Sequence, residues 1–302
     1  MDNRQQQSQR VCEALSIDVV AASRVRVLVI TGYGLNCEEE TTAGFEMLGS
    51  QVDALHLSEL LQREQKRLGD YRIVVIIGGF SFGDHVASGR ILANRMRYRL
   101  NESFCQYIAN GGLVLGICNG FQVLTNLGLV PGSVLGRGPL VPSSEQRKFR
   151  IGTQTTSLVP NEPLGYRNAW TRLRVDSLSP CVFTQGIETL ECPIRHAQGR
   201  LVFADEAQRD AINSAHLIPV RYADQSWNPT EEWPDNPNGS LGGAAGLCDP
   251  SGRVFGIMPH PEAYLYPQSH PRWIAQRDNG TLPSFGQGLR ILANGVRAAI
   301  ES

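Results

Sequence analysis

Cys118 stands between Gly116 and Gly120 in the run Val114-Leu115-Gly116-Ile117-Cys118-Asn119-Gly120-Phe121-Gln122-Val123-Leu124, where a thiol could act as a nucleophile. Apolar residues 113–115 predict a short buried strand, and Phe121, Val123, Leu124 and Leu127 recur at roughly helical spacing. A strand that turns sharply into a helix, with glycines flanking a nucleophile-type residue, is the pattern of a nucleophile elbow. Such an elbow strains the backbone of its central residue, so its neighbours must lack side chains. It also lifts the sulfur above a helix N-terminus, where the positive end of the dipole favours an anion. The plainer alternative is a buried cysteine in a glycine-rich turn.

A cysteine nucleophile needs a base, and the base needs an orienting partner. The candidates are His56, His85, His196, His216, His260 and His270. His260 stands apart because it follows an apolar run (254–258) and lies between two prolines. In Pro259-His260-Pro261-Glu262 an extended chain would place His260 and Glu262 on one side of the backbone. The carboxylate could then accept from one imidazole nitrogen while the other faces the thiol. A proline-bracketed turn with an incidental histidine is the alternative. A third stretch, Gly78-Gly79-Phe80-Ser81-Phe82-Gly83-Asp84, follows the apolar strand 73–77 directly, where parallel α/β sheets place ligands. Its backbone N–H groups could face the elbow as half of an oxyanion hole, or it could be a plain tight turn. The phosphate-binding pattern G-x-x-x-x-G-K-[ST] is absent, and neither lysine, Lys66 or Lys148, follows a Gly-rich turn, which discounts ATP hydrolysis by this chain.

The elements that must position these residues follow from periodicity. Strands are predicted at 25–30, 52–57 and 73–77, with helices at 38–48 and 60–68 between them and a long helix after Arg90. That rhythm predicts a doubly wound parallel sheet. Residues 136–163 read as a Pro-, Gly- and Ser-containing excursion, with 139–155 as an insertion. Short strands at 170–175, 190–194, 200–203, 218–222, 244–247 and 254–258 predict antiparallel pieces joined to the same sheet. An amphipathic helix at 288–300 closes the chain. Residues 1–24 read as a polar extension, with one short helix near 11–15 and the remainder at the surface or disordered. The domain organisation is therefore this extension followed by one domain over 25–302.

Composition narrows the functional classes. A formal charge of -1 over 302 residues gives no bulk attraction to nucleic acid or an anionic membrane. The 7 cysteines are scattered without a C-x-x-C pair, which fits a reducing, cytoplasmic setting better than a disulfide scaffold or a metal site, so no metal ligand is expected. The N-terminus lacks an apolar signal region, and no apolar stretch approaches membrane-spanning length.

Taken together, Gly116-Ile117-Cys118-Asn119-Gly120-Phe121-Gln122 and Met258-Pro259-His260-Pro261-Glu262 resemble the class I (triad) glutamine amidotransferases. More narrowly, the chain is similar to the branch of glutaminase subunits of phosphoribosylformylglycinamidine synthase, an enzyme of purine biosynthesis. Gly34-Leu35-Asn36-Cys37-Glu38-Glu39-Glu40-Thr41, the 78–84 loop and Asn236-Pro237-Asn238-Gly239-Ser240 match that branch, and His196-Ala197-Gln198-Gly199-Arg200 matches it more loosely. The resemblance implies a flavodoxin-like, doubly wound, mostly parallel sheet with antiparallel additions in the C-terminal half. It implies Cys118 as nucleophile, His260 as general base and acid, and Glu262 as its partner. The Gly79-Phe80 backbone and the Asn119 N–H would form the oxyanion hole, and Gln122 would contact substrate. The implied substrate is L-glutamine, hydrolysed through a cysteine thioester. Its ammonia would pass to a large synthetase subunit, with or without a third small subunit, for conversion of formylglycinamide ribonucleotide to the amidine. This chain would carry no cofactor; ATP and magnesium are expected on the partner. Departures are Ala263, where the branch usually has arginine, an altered 161–167 segment, the insertion and the N-terminal extension; the last two are expected to contribute partner contacts. Two alternatives remain: a stand-alone cysteine hydrolase of related fold (γ-glutamyl hydrolase or peptidase-like), and a non-catalytic regulatory subunit.

Overall fold

The β-branched runs form the centre of one sheet. The computed structural model describes residues 3–62, 65–132 and 154–301. Its first half contains α1 (Asn3–Ala14), α2 (Val19–Ala22), β1 (Arg26–Thr31), α3 (Glu38–Met47), β2 (Gln51–His56), α4 (Leu57–Gln62), β3 (Ile73–Ile76), α5 (Arg90–Ala109), β4 (Leu113–Ile117) and α6 (Asn119–Leu127). Its second half contains β5 (Thr156–Val159), β6 (Arg167–Val175), β7 (Thr189–His196), β8 (Arg200–Phe203), α7 (Glu206–Ser214), β9 (Val220–Ala223), β10 (Gly246–Cys248), β11 (Val254–Ile257), α8 (Trp273–Asp278) and α9 (Leu289–Glu301).

The main sheet runs β10-β11-β4-β3-β1-β2. Its strands pair in parallel from β11 to β2, and β10 is antiparallel on the edge. Without β10, this is the flavodoxin-like order, in which strand order reverses beside the first strand. The central strands β3, β4 and β11 are buried throughout, as continuous apolar runs in a sheet covered on both faces must be. Helices α5 and α6 pack together, and α9 packs with α3. Helix α9 keeps Leu289, Leu292 and Val296 on its buried face, the amphipathic pattern expected at the end of the chain.

Several expectations change. Among the described residues only β10 and β11 of the C-terminal strands join the main sheet, β11 in parallel rather than antiparallel; β5-β8 and β7-β6-β9 form two separate antiparallel sheets. Their strands pair with partners distant in sequence, so periodicity within each strand carried no sheet assignment. Strand β5 lies inside the stretch read as an excursion, and α7 and α8 were not expected. The insertion at 139–155 lies outside the described residues up to 153. The predicted helix 60–68 is instead α4 followed by a 3-10 turn at Gln65–Asp70. The N-terminal segment is a 12-residue helix rather than a short one near 11–15, and Val11 and Cys12 are buried. Two apolar residues in a Gln/Arg-rich segment were too weak a signal to predict that anchorage, which the Arg297 guanidinium reinforces by donating to the Leu15 carbonyl at 2.7 Å.

Helix α6 approaches β3 so closely that position 120 has no room for a side chain. A Cβ on Gly120 would lie 1.8 Å from the Ile76 carbonyl oxygen, a backbone atom of a central strand that cannot yield. Gly120→Ala is expected to destabilise the protein by about 3 kcal/mol or more in urea denaturation. Gly69→Ala, whose Cβ meets nothing within 4 Å, should stay within about 0.5 kcal/mol.

Candidate functional site

The three stretches with chemical potential leave the C-terminal ends of three adjacent strands. Gly116 of β4 aligns with Gly256 of β11 on one side and with Ile76 of β3 on the other. Cys118 therefore emerges between the 78–84 loop and the segment carrying His260 and Glu262. Parallel α/β sheets place ligands at such ends.

Cys118 has φ 51 and ψ -103, a conformation disfavoured for a residue with a side chain. Its N–H donates to the Ile257 carbonyl at 2.8 Å, which ties the elbow to β11, and its thiol is 3.8 Å from the Arg195 carbonyl at the end of β7. The glycines have the steric role that the sequence suggested: a Cβ at Gly116 would lie 2.8 Å from the Gly120 carbonyl group.

His260 and Glu262 are both buried, and Nδ1 of the imidazole lies 2.6 Å from Oε1 of the carboxylate. An ionised carboxylate only accepts, so Nδ1 carries the proton and Nε2 is free for the thiol side. The connecting backbone is not extended, as expected, but turns into a 3-10 helix at Pro261–Ala263, with the proline ring setting its first φ. The turn still brings residues two apart into contact. The His260 N–H donates to the Pro193 carbonyl at 2.8 Å, so β7 braces the histidine from behind. Burial pulls the His260 pKa down, but the Glu262 carboxylate and the Cys118 and Cys37 sulfurs hold it well above the ordinary imidazole value. Among the described residues, neither His260 Nε2 nor Glu262 Oε2 has a partner at hydrogen-bond geometry.

The 78–84 loop is pinned to the turn after β1. The Asn36 N–H donates to the Gly78 carbonyl at 3.1 Å, and the Phe80 N–H to the Gly34 carbonyl at 2.8 Å. The Phe80 N–H is thus already engaged, whereas the Asn119 N–H lies at the first turn of α6, where no intrahelical acceptor exists. Gln122, expected to contact substrate, is buried: its amide donates to the Gln198 carbonyl at 2.6 Å and accepts from the Asn119 side chain at 2.8 Å.

Sequence reasoning missed three residues here. Asp84, at φ 52, accepts from the Asn119 side chain at 3.2 Å, from the Ser88 hydroxyl at 3.0 Å and from the Gly89 N–H at 3.4 Å. It joins the loop to the first residue of α6. Cys37 lies beside His260 against Gly78, whose added Cβ would be 3.3 Å from the sulfur and 2.9 Å from the imidazole Cε1. Asn161 accepts at its Oδ1 from Gly199 N–H at 2.9 Å and from His196 Nδ1 at 3.1 Å, while its amide donates to the Gly165 and His196 carbonyls. Residues 37 and 84 lie in runs noted in the sequence, but spacing gave no signal of these contacts. Of the other histidines, His56 pairs with Ser58, His216 with Asp176 and His270 with Glu191, while His85 lies beside Gly83.

Comparison with known proteins finds a matching family and relatives over most of the chain. A family model for the CobB/CobQ-like glutamine amidotransferase domain matches residues 24–297. The phosphoribosylformylglycinamidine synthase subunit PurQ of Dehalococcoides mccartyi is 37% identical over 277 residues, covering 92% of this chain and 98% of that protein. The PurQ subunit of Methanococcus maripaludis is 38% identical over 278 residues, covering 90% and 96%. A solved structure of PurLQS from Thermotoga maritima aligns with a TM-score of 0.59 at 24% identity, over 86% of this chain and 98% of that one; this likeness shows the fold.

Burial pushes the His196 pKa down to about 3, so the imidazole stays neutral in the folded protein. The unfolded chain takes up the proton near the ordinary value of about 6.5. The stability this histidine permits is thus complete above that value and is lost as pH falls from there toward 3. His196→Gln should flatten the decline in unfolding free energy between about pH 6.5 and 4 by a few kcal/mol, measured by urea denaturation across that window.

Proposed function

Because this chain belongs to the CobB/CobQ-like glutamine amidotransferase domain family, we propose that Cys118, His260 and Glu262 perform its glutaminase chemistry. The chain is the glutaminase subunit of phosphoribosylformylglycinamidine synthase and works with a synthetase subunit. The observation that carries the site assignment is the juxtaposition of the strained Cys118 elbow with the buried His260–Glu262 pair.

In this reading His260 Nε2 takes the Cys118 thiol proton as the sulfur attacks the side-chain amide carbon of L-glutamine. The developing oxyanion accepts from the Asn119 N–H and from Gly79, since the Phe80 N–H is engaged by Gly34. His260 delivers a proton to the departing nitrogen, and ammonia leaves a γ-glutamyl thioester on Cys118. His260 then takes a proton from water, which attacks the thioester carbon and releases glutamate and the thiol. Glu262 keeps the imidazole in the Nδ1–H tautomer, with Nε2 toward the sulfur. Ammonia passes to the synthetase subunit, where ATP and magnesium drive amidine formation, in the cytoplasm. Gln122 braces the wall of the site through Gln198 and Asn119 rather than reaching substrate.

The test is glutamine hydrolysis by wild type and Cys118→Ala, alone and with the synthetase subunit, formylglycinamide ribonucleotide and ATP. Turnover should rise with the partner and vanish in Cys118→Ala; turnover that survives the substitution overturns the nucleophile. A hydrolysis rate indifferent to the partner would favour a stand-alone hydrolase, and no hydrolysis in either setting a silent subunit. Glu262→Gln should lower kcat by about 100-fold or more with little change in KM. Asp84→Asn, which disturbs the tie between loop and elbow, should lower kcat by about tenfold.

A further inference from the structure

We propose that Cys37, His260 and Glu262 form a regulatory site for a thiophilic divalent cation of the zinc class, whose occupation withdraws His260 from proton transfer. The ligand atoms these three residues can offer all lie within 4.8 Å of one another, and all three residues are buried. Sulfur, imidazole nitrogen and carboxylate oxygen are the donors zinc takes, at about 2.3, 2.0 and 2.1 Å respectively. A thiolate and a carboxylate balance the charge of a dication, which matters in a buried site.

Two further observations point to a ligand. Glu262 is 1% exposed, yet its Oε2 has no hydrogen-bond partner among the described residues. Buried polar atoms without partners are uncommon and costly. In addition, the glycine at 78 leaves open the place between sulfur and ring, since a Cβ there would stand 3.3 Å from Cys37 Sγ and 3.5 Å from His260 Nδ1.

The ion would replace the proton now shared across the 2.6 Å Nδ1–Oε1 contact. Tetrahedral ligation separates a nitrogen and an oxygen by about 3.3 Å, so the pair must open by less than an ångström. An ordinary cysteine is a thiol at neutral pH, and the metal takes it as the thiolate. Binding therefore releases the thiol proton, while the imidazole proton moves from Nδ1 to Nε2, leaving a neutral ring on the metal. With Nδ1 on the metal, Glu262 can no longer stabilise a charged imidazolium, and the histidine loses its capacity to shuttle protons. Cys118 is not a ligand in this arrangement, which separates it from ordinary capture of a metal by the nucleophile.

The binding half is tested independently of glutaminase activity; the inhibitory half rests on the function proposed above. In Cys118→Ala protein, cobalt(II) should bind at one equivalent with a thiolate-to-metal charge-transfer band. That band should be lost in Cys37→Ala/Cys118→Ala and in Cys37→Ser/Cys118→Ala. Zinc affinity, read by competition with a chromophoric chelator, should fall by more than about tenfold in both double variants. No band in Cys118→Ala, or undiminished binding without Cys37, overturns the site. Circular dichroism and urea denaturation identify whichever double variant folds. In glutamine hydrolysis, the zinc concentration giving half inhibition should rise by more than about tenfold in Cys37→Ser. An unchanged value overturns the regulatory role. An absence of hydrolysis in wild type would refute the glutaminase reading while leaving the cobalt result to stand.

Discussion

The level ending of β11, β4 and β3 is the constraint on which the site depends. Their alignment, Gly256 beside Gly116 beside Ile76, places the ends of three chain segments at one height above the sheet. That spacing leaves room for the elbow only because residues 116 and 120 lack side chains. The backbone of β3 is thus both a sheet strand and the wall against which α6 starts. A shift of either by an ångström would move Cys118 relative to both the loop and the histidine, and reaction rates depend steeply on such displacements.

Around that steric frame lies a chain of polar contacts. Asp84 holds the Asn119 side chain, Asn119 holds Gln122, and Gln122 holds the Gln198 carbonyl. Each hydrogen bond contributes only about 1 kcal/mol net, but unsatisfied partners in a buried site cost more. The chain therefore acts mainly as a device of position. It couples the loop after β3, the start of α6 and the turn after β7, the last of which leaves a separate sheet. Asn161 and His196 brace the same turn from the other side, with the imidazole held neutral by burial.

Legibility followed the range of the interaction. The Cys118 elbow could be read because strand, glycines and helix are contiguous, and the His260–Glu262 contact because two residues and two prolines encode it. The parallel order of the first four strands followed from alternation of strand and helix. Cys37 and Asp84 could not be assigned partners because their contacts cross between loops. The division of the C-terminal strands into three sheets was illegible for the same reason: β6 pairs with β7 and β9, and β5 with β8, over long separations. Gln122 and Phe80 illustrate the reverse problem. Their positions in a motif suggested direct roles, and only the hydrogen bonds to Gln198 and Gly34 reveal that these groups are engaged elsewhere.

The features that suit His260 to proton transfer also expose it to a soft cation. A general base at neutral pH needs a buried carboxylate to hold its tautomer and an unencumbered second nitrogen. The first requirement leaves a lone pair at Glu262 Oε2 without a partner among the described residues. A neighbouring sulfur adds a third donor toward a tetrahedral ion, and Cys37 supplies it at the entrance to α3, where its side chain makes no capping hydrogen bond among the described residues. Helix capping alone would favour serine, threonine, asparagine or aspartate there. A cysteine at this place forgoes that stabilisation; its thiol donates instead to Asn36 Oδ1 at 3.5 Å, and its sulfur lies beside His260.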